Sequence, residues 1–156
     1  MKEIALITGA SSGIGYEIAK LFAADKIDLL IVARSEIKLL EIKKEFEEKF
    51  TVDVFTVVAD LSSNEGIQSV YEVIHSNNLI VNYLVNNAGF GDYGAFIDRS
   101  MGKYYEMIHL NILSLTELSY RYGKEMVKRG KGRILNVASM AGLQPDPNFA
   151  VYGATK

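Results

Sequence analysis

The segment YGATK sets Tyr152 and Lys156 four residues apart, a spacing that makes them neighbours on one face of a helix. Together they could form a proton-transfer pair. A phenol, with a reference pKa of about 10, is a poor base at neutral pH, and a nearby positive charge stabilises its phenolate. Alone, the same pair could be two unrelated side chains on a helix surface, so the elements that position it decide its meaning.

The strongest second motif is TGASSGIG, Thr8 to Gly15, directly after an apolar run and at the start of an amphipathic one. Glycines let the backbone turn tightly and approach a ligand closely, and the free amides at a helix N-terminus attract phosphate. The motif predicts a diphosphate cradle, although such a loop could also be only a turn. Its spacing, with glycines at 9, 13 and 15, is not the Gly-x-Gly-x-x-Gly dinucleotide fingerprint. A dinucleotide-binding unit also needs a ribose reader about 20 residues further on. That place reads IVARS, where Ala33 is neutral and Arg34 is basic. Arginine pairs with a 2′-phosphate, so NADP(H) is the favoured cofactor and NAD(H) remains possible.

The elements that must carry these residues alternate along the chain. Apolar runs (EIALIT, IDLLIVA, TVDVFTVVAD, NYLVNN, RILNVAS) are separated by longer amphipathic stretches. Runs apolar at nearly every position fit parallel strands covered on both faces, which predicts an α/β fold with a doubly wound sheet. Helices are expected over 13–25, after Ser35 as a cap, after a Ser62/Glu65 capping box, and over about 100–129. Leu39, Ile42, Phe46 and Phe50 share one helical face, as do Ile67, Val70, Tyr71 and Ile74. In the long helix Ile108, Leu110, Ile112, Leu113, Leu115 and Leu118 leave no polar face, which implies burial on two sides, against a second subunit or against further chain.

Taken in order, TGASSGIG, Asp60 with Leu61, NNAG at 86–89, Asn111, Ser139 and YGATK resemble the short-chain dehydrogenase/reductase family, and the glycine spacing resembles its compact branch. The resemblance runs from residue 4 to residue 156. It implies a Rossmann-type sheet with helices on both faces and hydride transfer between NADP(H) and a carbonyl or secondary alcohol. Thr8, Gly9, Ser11, Ser12, Gly13, Ile14 and Gly15 correspond to the diphosphate turn, with Ser12 and Arg34 at the 2′-phosphate. Asp60 and Leu61 correspond to the adenine site. Asn87, Ala88 and Gly89 correspond to the segment beneath the cofactor. Tyr152 would be the general acid or base. Lys156 would supply the charge beside it and hold the nicotinamide ribose, and Ser139 would bond the substrate oxygen. Asn111 would hold a water against Lys156 as a proton relay. The loops around Phe90, Gly91, Asp92, Tyr93 and Phe96 and over 140–149 open where ligands bind in this fold, although Tyr93 and Phe149 could equally be packing residues.

Bulk properties narrow the alternatives. With 156 residues, 49% of them apolar, the chain can build one globular domain. A net charge of −2 with dispersed lysines and arginines gives no nucleic-acid footprint. No cysteine and only two histidines, His75 and His109, disfavour a metal site. Neither a leader nor an apolar run of about 18 to 20 residues is visible, which makes a cytoplasmic protein without membrane contact the expectation. Members of the resembled family continue past the YGATK lysine. The chain is therefore expected to be a single dinucleotide-binding domain, incomplete at its C-terminus, belonging to a longer protein that forms a homodimer or homotetramer. A dinucleotide-binding piece without turnover is the alternative.

Overall fold

The computed structural model describes residues 2–156. Among these residues five parallel strands form one sheet in the order β3-β2-β1-β4-β5. The strands are β1 (Lys2–Thr8), β2 (Asp28–Ala33), β3 (Val54–Val58), β4 (Leu79–Asn86) and β5 (Arg133–Asn136). The first helices are α1 (Gly13–Ala24), α2 (Glu36–Phe50) and α3 (Asn64–Ser76). Then come α4 (Met101–Ile108), a π-helical turn (His109–Ser114), α5 (Leu115–Arg129) and a short α6 (Ala150–Thr155).

The two-period of a strand explains the layers. Ile4 and Leu6 join Ile67, Val70 and Ile74 of α3 and Leu118, Tyr122 and Met126 of α5 in one core. Ala5 and Ile7 join Ala19 and Ala23 of α1 and Leu39, Ile42 and Phe46 of α2 in the other. Both faces of β1 and β2 are thus covered, and Ile4, Leu6, Ile7, Leu29, Leu30 and Ile31 are fully buried. Each such side chain contributes roughly 1.5–3 kcal/mol of burial. The expected doubly wound α/β architecture is present.

Three local expectations change. The cap of α3 is Ser63, whose Oγ accepts from the Gly66 amide at 3.1 Å. Ser62 instead donates its hydroxyl to Asp60 Oδ1 at 2.7 Å, because a carboxylate two residues back is the stronger acceptor. Ser35 stands at the start of α2 without a side-chain capping bond. The fifth strand covers only Arg133–Asn136 of the RILNVAS run, although the Val137 amide still donates to Asn86 O at 3.0 Å.

The long helix forms, but it widens by one π turn. Leu118, Tyr122 and Met126 face the sheet, whereas Leu113 is 52% exposed and Ile108 and Ile112 are also open to solvent. Strand order reverses between β1 and β4, and the crevice beyond the carboxyl ends of strands at such a switch point is where ligands bind in this architecture.

Candidate active site

The cradle is built by backbone proximity. Gly9 turns with φ +66, and a Cβ on Gly15 would stand on the Gly9 carbonyl oxygen, so only glycine lets the first turn of α1 close onto the end of β1. Thr8 is buried and its hydroxyl is fully committed: it donates to Val85 O at 3.3 Å and accepts from the Asn87 and Ala88 amides at 3.0 Å each. Asn87 Nδ2 donates back to Thr8 O at 3.0 Å and Gly9 O at 3.1 Å. Thr8 and Asn87 therefore tie the ends of β1 and β4 together beneath the loop.

Above this tie lies a cleft of 230 Å³ whose lining includes Gly9, Ser11, Ser12, Arg34, Asp60, Leu61, Ala88 and Gly89. Gly13, Ile14 and Gly15 form the first turn of α1, directly after Ser12 of the lining. Ser12 caps α1 in extended conformation with its hydroxyl unbonded, and the helix N-terminus behind it carries the partial positive charge that holds phosphate. Arg34 is exposed at the end of β2 and makes no ion pair among the described residues. Asp60 Oδ1 accepts from Ser62 Oγ at 2.7 Å and Ser62 N at 3.0 Å. Those bonds, with weaker help from Arg34 and His109, hold its carboxyl below the usual carboxylate range. The groups present fit an NAD(P)-type dinucleotide: amide donors for the diphosphate, a guanidinium donor at the ribose end and a carboxylate acceptor at the base end.

Val32, Ala33, Ala59, Phe90 and Leu110 complete the lining. Val32, Ala33 and Ala59 could have been found from their places at or just beyond strand ends. Leu110 could not, because its position depends on the π turn.

Ser139 lies three residues beyond β5 and caps a 3-10 turn (Met140–Gly142), accepting from Ala141 N at 3.2 Å. A serine that accepts in this way keeps its own proton for another partner. That turn packs against the backbone of Lys156. Tyr152 sits on α6 with its ring against Gly91 and 5.5 Å from the Phe149 ring, and its hydroxyl has no hydrogen bond among the described residues. Lys156 Nζ donates to Val137 O at 3.0 Å.

Asn111, on the π turn, is 3% exposed and joins this rim to the cleft. Its Nδ2 donates to Phe90 O at 3.0 Å and Thr155 Oγ1 at 2.9 Å, and its Oδ1 accepts from Phe90 N at 3.2 Å. Thr155 in turn donates to Tyr152 O at 2.8 Å. Asn111 thus has both side-chain protons bonded within the chain, one of them to Thr155 of α6. Its oxygen and Lys156 Nζ stand 3.0 and 3.3 Å from the point where a Gly89 Cβ would be, so the side chain absent at Gly89 leaves the space between them open. Thr155 is the linking residue missed by sequence reasoning, although it lies inside YGATK.

Among the described residues no group of three His, Cys, Asp or Glu could hold a metal, and no helix is long and apolar enough to cross a membrane. Residues 3–156 match the family model described as short chain dehydrogenase. The Homo sapiens very-long-chain 3-oxoacyl-CoA reductase is 32% identical over 160 residues, covering 99% of this chain and 50% of the relative. The bulky-bulky ketone specific alcohol dehydrogenase of Comamonas testosteroni superposes with a TM-score of 0.92 at 32% identity, over 100% of this chain and 62% of that one. A short-chain dehydrogenase from Sphingobium yanoikuyae in complex with NADPH does so with 0.92 at 33%, over 100% and 60%. The chain thus spans about half the length of the curated relatives it matches. With the switch-point cleft, the glycine cradle and the Tyr152/Lys156 helix all present in one matching chain, it belongs to the short-chain dehydrogenase family.

Proposed function

We propose that the protein transfers a hydride between NADP(H) and a carbonyl or secondary-alcohol substrate, with Tyr152 as the acid or base. The observation that carries this reading is the Tyr152 hydroxyl, unbonded among the described residues, on the short helix that Lys156 ends, tied through Thr155 and Asn111 to the nucleotide cleft. When bound, NADPH supplies the hydride taken up by the substrate carbon. Tyr152 gives its phenolic proton to the carbonyl oxygen, and the Lys156 ammonium stabilises the negative charge left on the ring oxygen. Ser139, with its own proton uncommitted, donates to the same carbonyl oxygen as charge develops there. Asn111 holds α6 in place, and its oxygen with Lys156 Nζ flanks the space at Gly89 where a water could return the proton.

Ser11, Ser12 and the Gly9–Gly15 turn take the diphosphate, Arg34 with Ser12 takes the 2′-phosphate, and Asp60 with Leu61 takes the adenine. The unpaired guanidinium at Arg34 favours NADP(H) over NAD(H), and the NADPH named in the Sphingobium yanoikuyae structure supports the same choice.

The test is NADPH oxidation by the full-length protein with a ketone panel. Tyr152→Phe is expected to lower kcat by about 10²–10⁴-fold, the usual range for a positioned acid, while NADPH binding is retained. A variant as fast as the parent would sink the assignment, and binding without turnover in the parent would instead favour a dinucleotide-binding module.

A further inference from the structure

We infer that the loops beside Tyr152 form a subsite for an uncharged, flat apolar substituent of the substrate carbonyl, an aryl group above all. The inference rests on the reductase reading above. Three rings run outward from the reaction position in tilted or edge-on contact: Tyr152 to Phe149 with centroids 5.5 Å apart, and Phe149 to Tyr93 at 5.1 Å. Tyr93 at the end of this row is 61% exposed. A further ring extends such a series favourably, because aromatic rings pair edge to face or offset at centroid distances of roughly 4.5–7 Å.

The row is held by contacts that join two separate loops. Gly94 N donates to Asn148 O at 2.9 Å, and Asn148 Nδ2 donates to Tyr93 Oη at 3.2 Å. The first loop is closed on itself by the Asp92–Arg99 fork, with Arg99 Nε donating to Asp92 Oδ2 at 2.7 Å.

Charge decides the class of substituent. Arg99 is the one lysine or arginine in the segments 87–100 and 137–151, against Asp92, Asp98 and Asp146, and its charge is spent on Asp92. Lys103, the next cation along, pairs with Glu106 at 3.5 Å and lies over the Phe90 ring. A carboxylate or phosphate carried out along these two loops, away from Lys156 at the reacting oxygen, therefore meets acidic groups and no free cation of either segment, whereas a neutral ring meets a row of rings.

The experiment compares acetophenone, butanone and 4-acetylbenzoate as substrates of the full-length protein with NADPH. Acetophenone is expected to exceed 4-acetylbenzoate in kcat/KM by about tenfold or more, the scale of like-charge juxtaposition. Tyr93→Ala should lower the ratio of kcat/KM for acetophenone to that for butanone by about three- to tenfold, the scale of one aromatic pair. Asp92→Asn, which releases the Arg99 charge, should narrow the gap between acetophenone and 4-acetylbenzoate. The subsite is overturned alone if 4-acetylbenzoate is turned over as well as acetophenone, or if Tyr93→Ala leaves the acetophenone-to-butanone ratio unchanged. No NADPH oxidation with any of the three ketones would overturn the reductase reading and the subsite with it.

Discussion

The nucleotide cleft is floored by strands whose central residues, Ile4 to Ile7 and Leu29 to Val32, are fully buried, whereas Ser139, Tyr152 and Lys156 stand beyond the end of β5. One half of the site inherits its geometry from two hydrophobic cores. The other is joined by named hydrogen bonds: Lys156 to Val137, Asn111 to Phe90 and Thr155, and Thr155 to Tyr152. Damage to the first half should register as lost stability, and damage to the second as lost activity at smaller cost to the fold.

The sharpest way to break that contrast is Gly15→Ala. The new methyl would meet the Gly9 carbonyl, a backbone atom that cannot step aside, so destabilisation of about 3 kcal/mol is expected, the upper end of overpacking costs. An unchanged urea midpoint would show that the cradle is not part of the core.

Arg34→Asp tests the cleft without touching its floor. NADPH affinity should fall about ten- to hundredfold, the loss of a charged hydrogen bond of roughly 1.5–3 kcal/mol, with preference moving toward NADH and the unfolding midpoint unchanged. Equal loss for both cofactors in a binding titration would remove Arg34 from the 2′-phosphate.

Asn111→Ala probes the other half. It strips the Phe90 amide and carbonyl of their partners, which costs about 1–3 kcal/mol when the groups stay buried, and it frees α6. The expected signature is a fall in kcat with NADPH affinity retained, measured by steady-state kinetics beside a binding titration. Loss of both together would mean that the two halves are one unit.

The smallest effect concerns acid. The Asp60 carboxyl is held low chiefly by the Ser62 hydroxyl, so its contribution is present above the unfolded carboxylate value of about 3.9 and is lost as pH falls through the lower folded value. Unfolding midpoints of Asp60→Ala should therefore fall less than those of the parent as pH drops below about 4. Identical acid profiles would mean that the Ser62 contacts add nothing to stability.

Much of the cleft was legible because its signals are local. Apolar runs marked the strands, the glycine spacing marked the turn onto α1, and Arg34 stood where a ribose reader belongs. The Ser62/Glu65 box misplaced a cap by one residue because a neighbouring carboxylate, Asp60, competed for the Ser62 hydroxyl. Thr155 and the true partners of Asn111 were illegible for a different reason: Phe90 is 21 positions and Thr155 is 44 positions away from Asn111, and no window of sequence joins them. The π turn likewise leaves no periodic trace, because one widened turn does not alter the apolar pattern of Leu118, Tyr122 and Met126 that follows it.

By itself, then, the sequence determined the parallel strands, the helices between them and the phosphate-facing turn, since each follows from side-chain pattern and backbone freedom over a few residues. Tertiary structure alone decided that Thr8 and Asn87 tie the ends of β1 and β4 together, that Asn111 bonds Phe90 and Thr155, and that Tyr93 and Phe149 form one row with Tyr152. A polar group satisfies its hydrogen bonds with whatever the folded chain brings within reach, and that is set by how the layers pack.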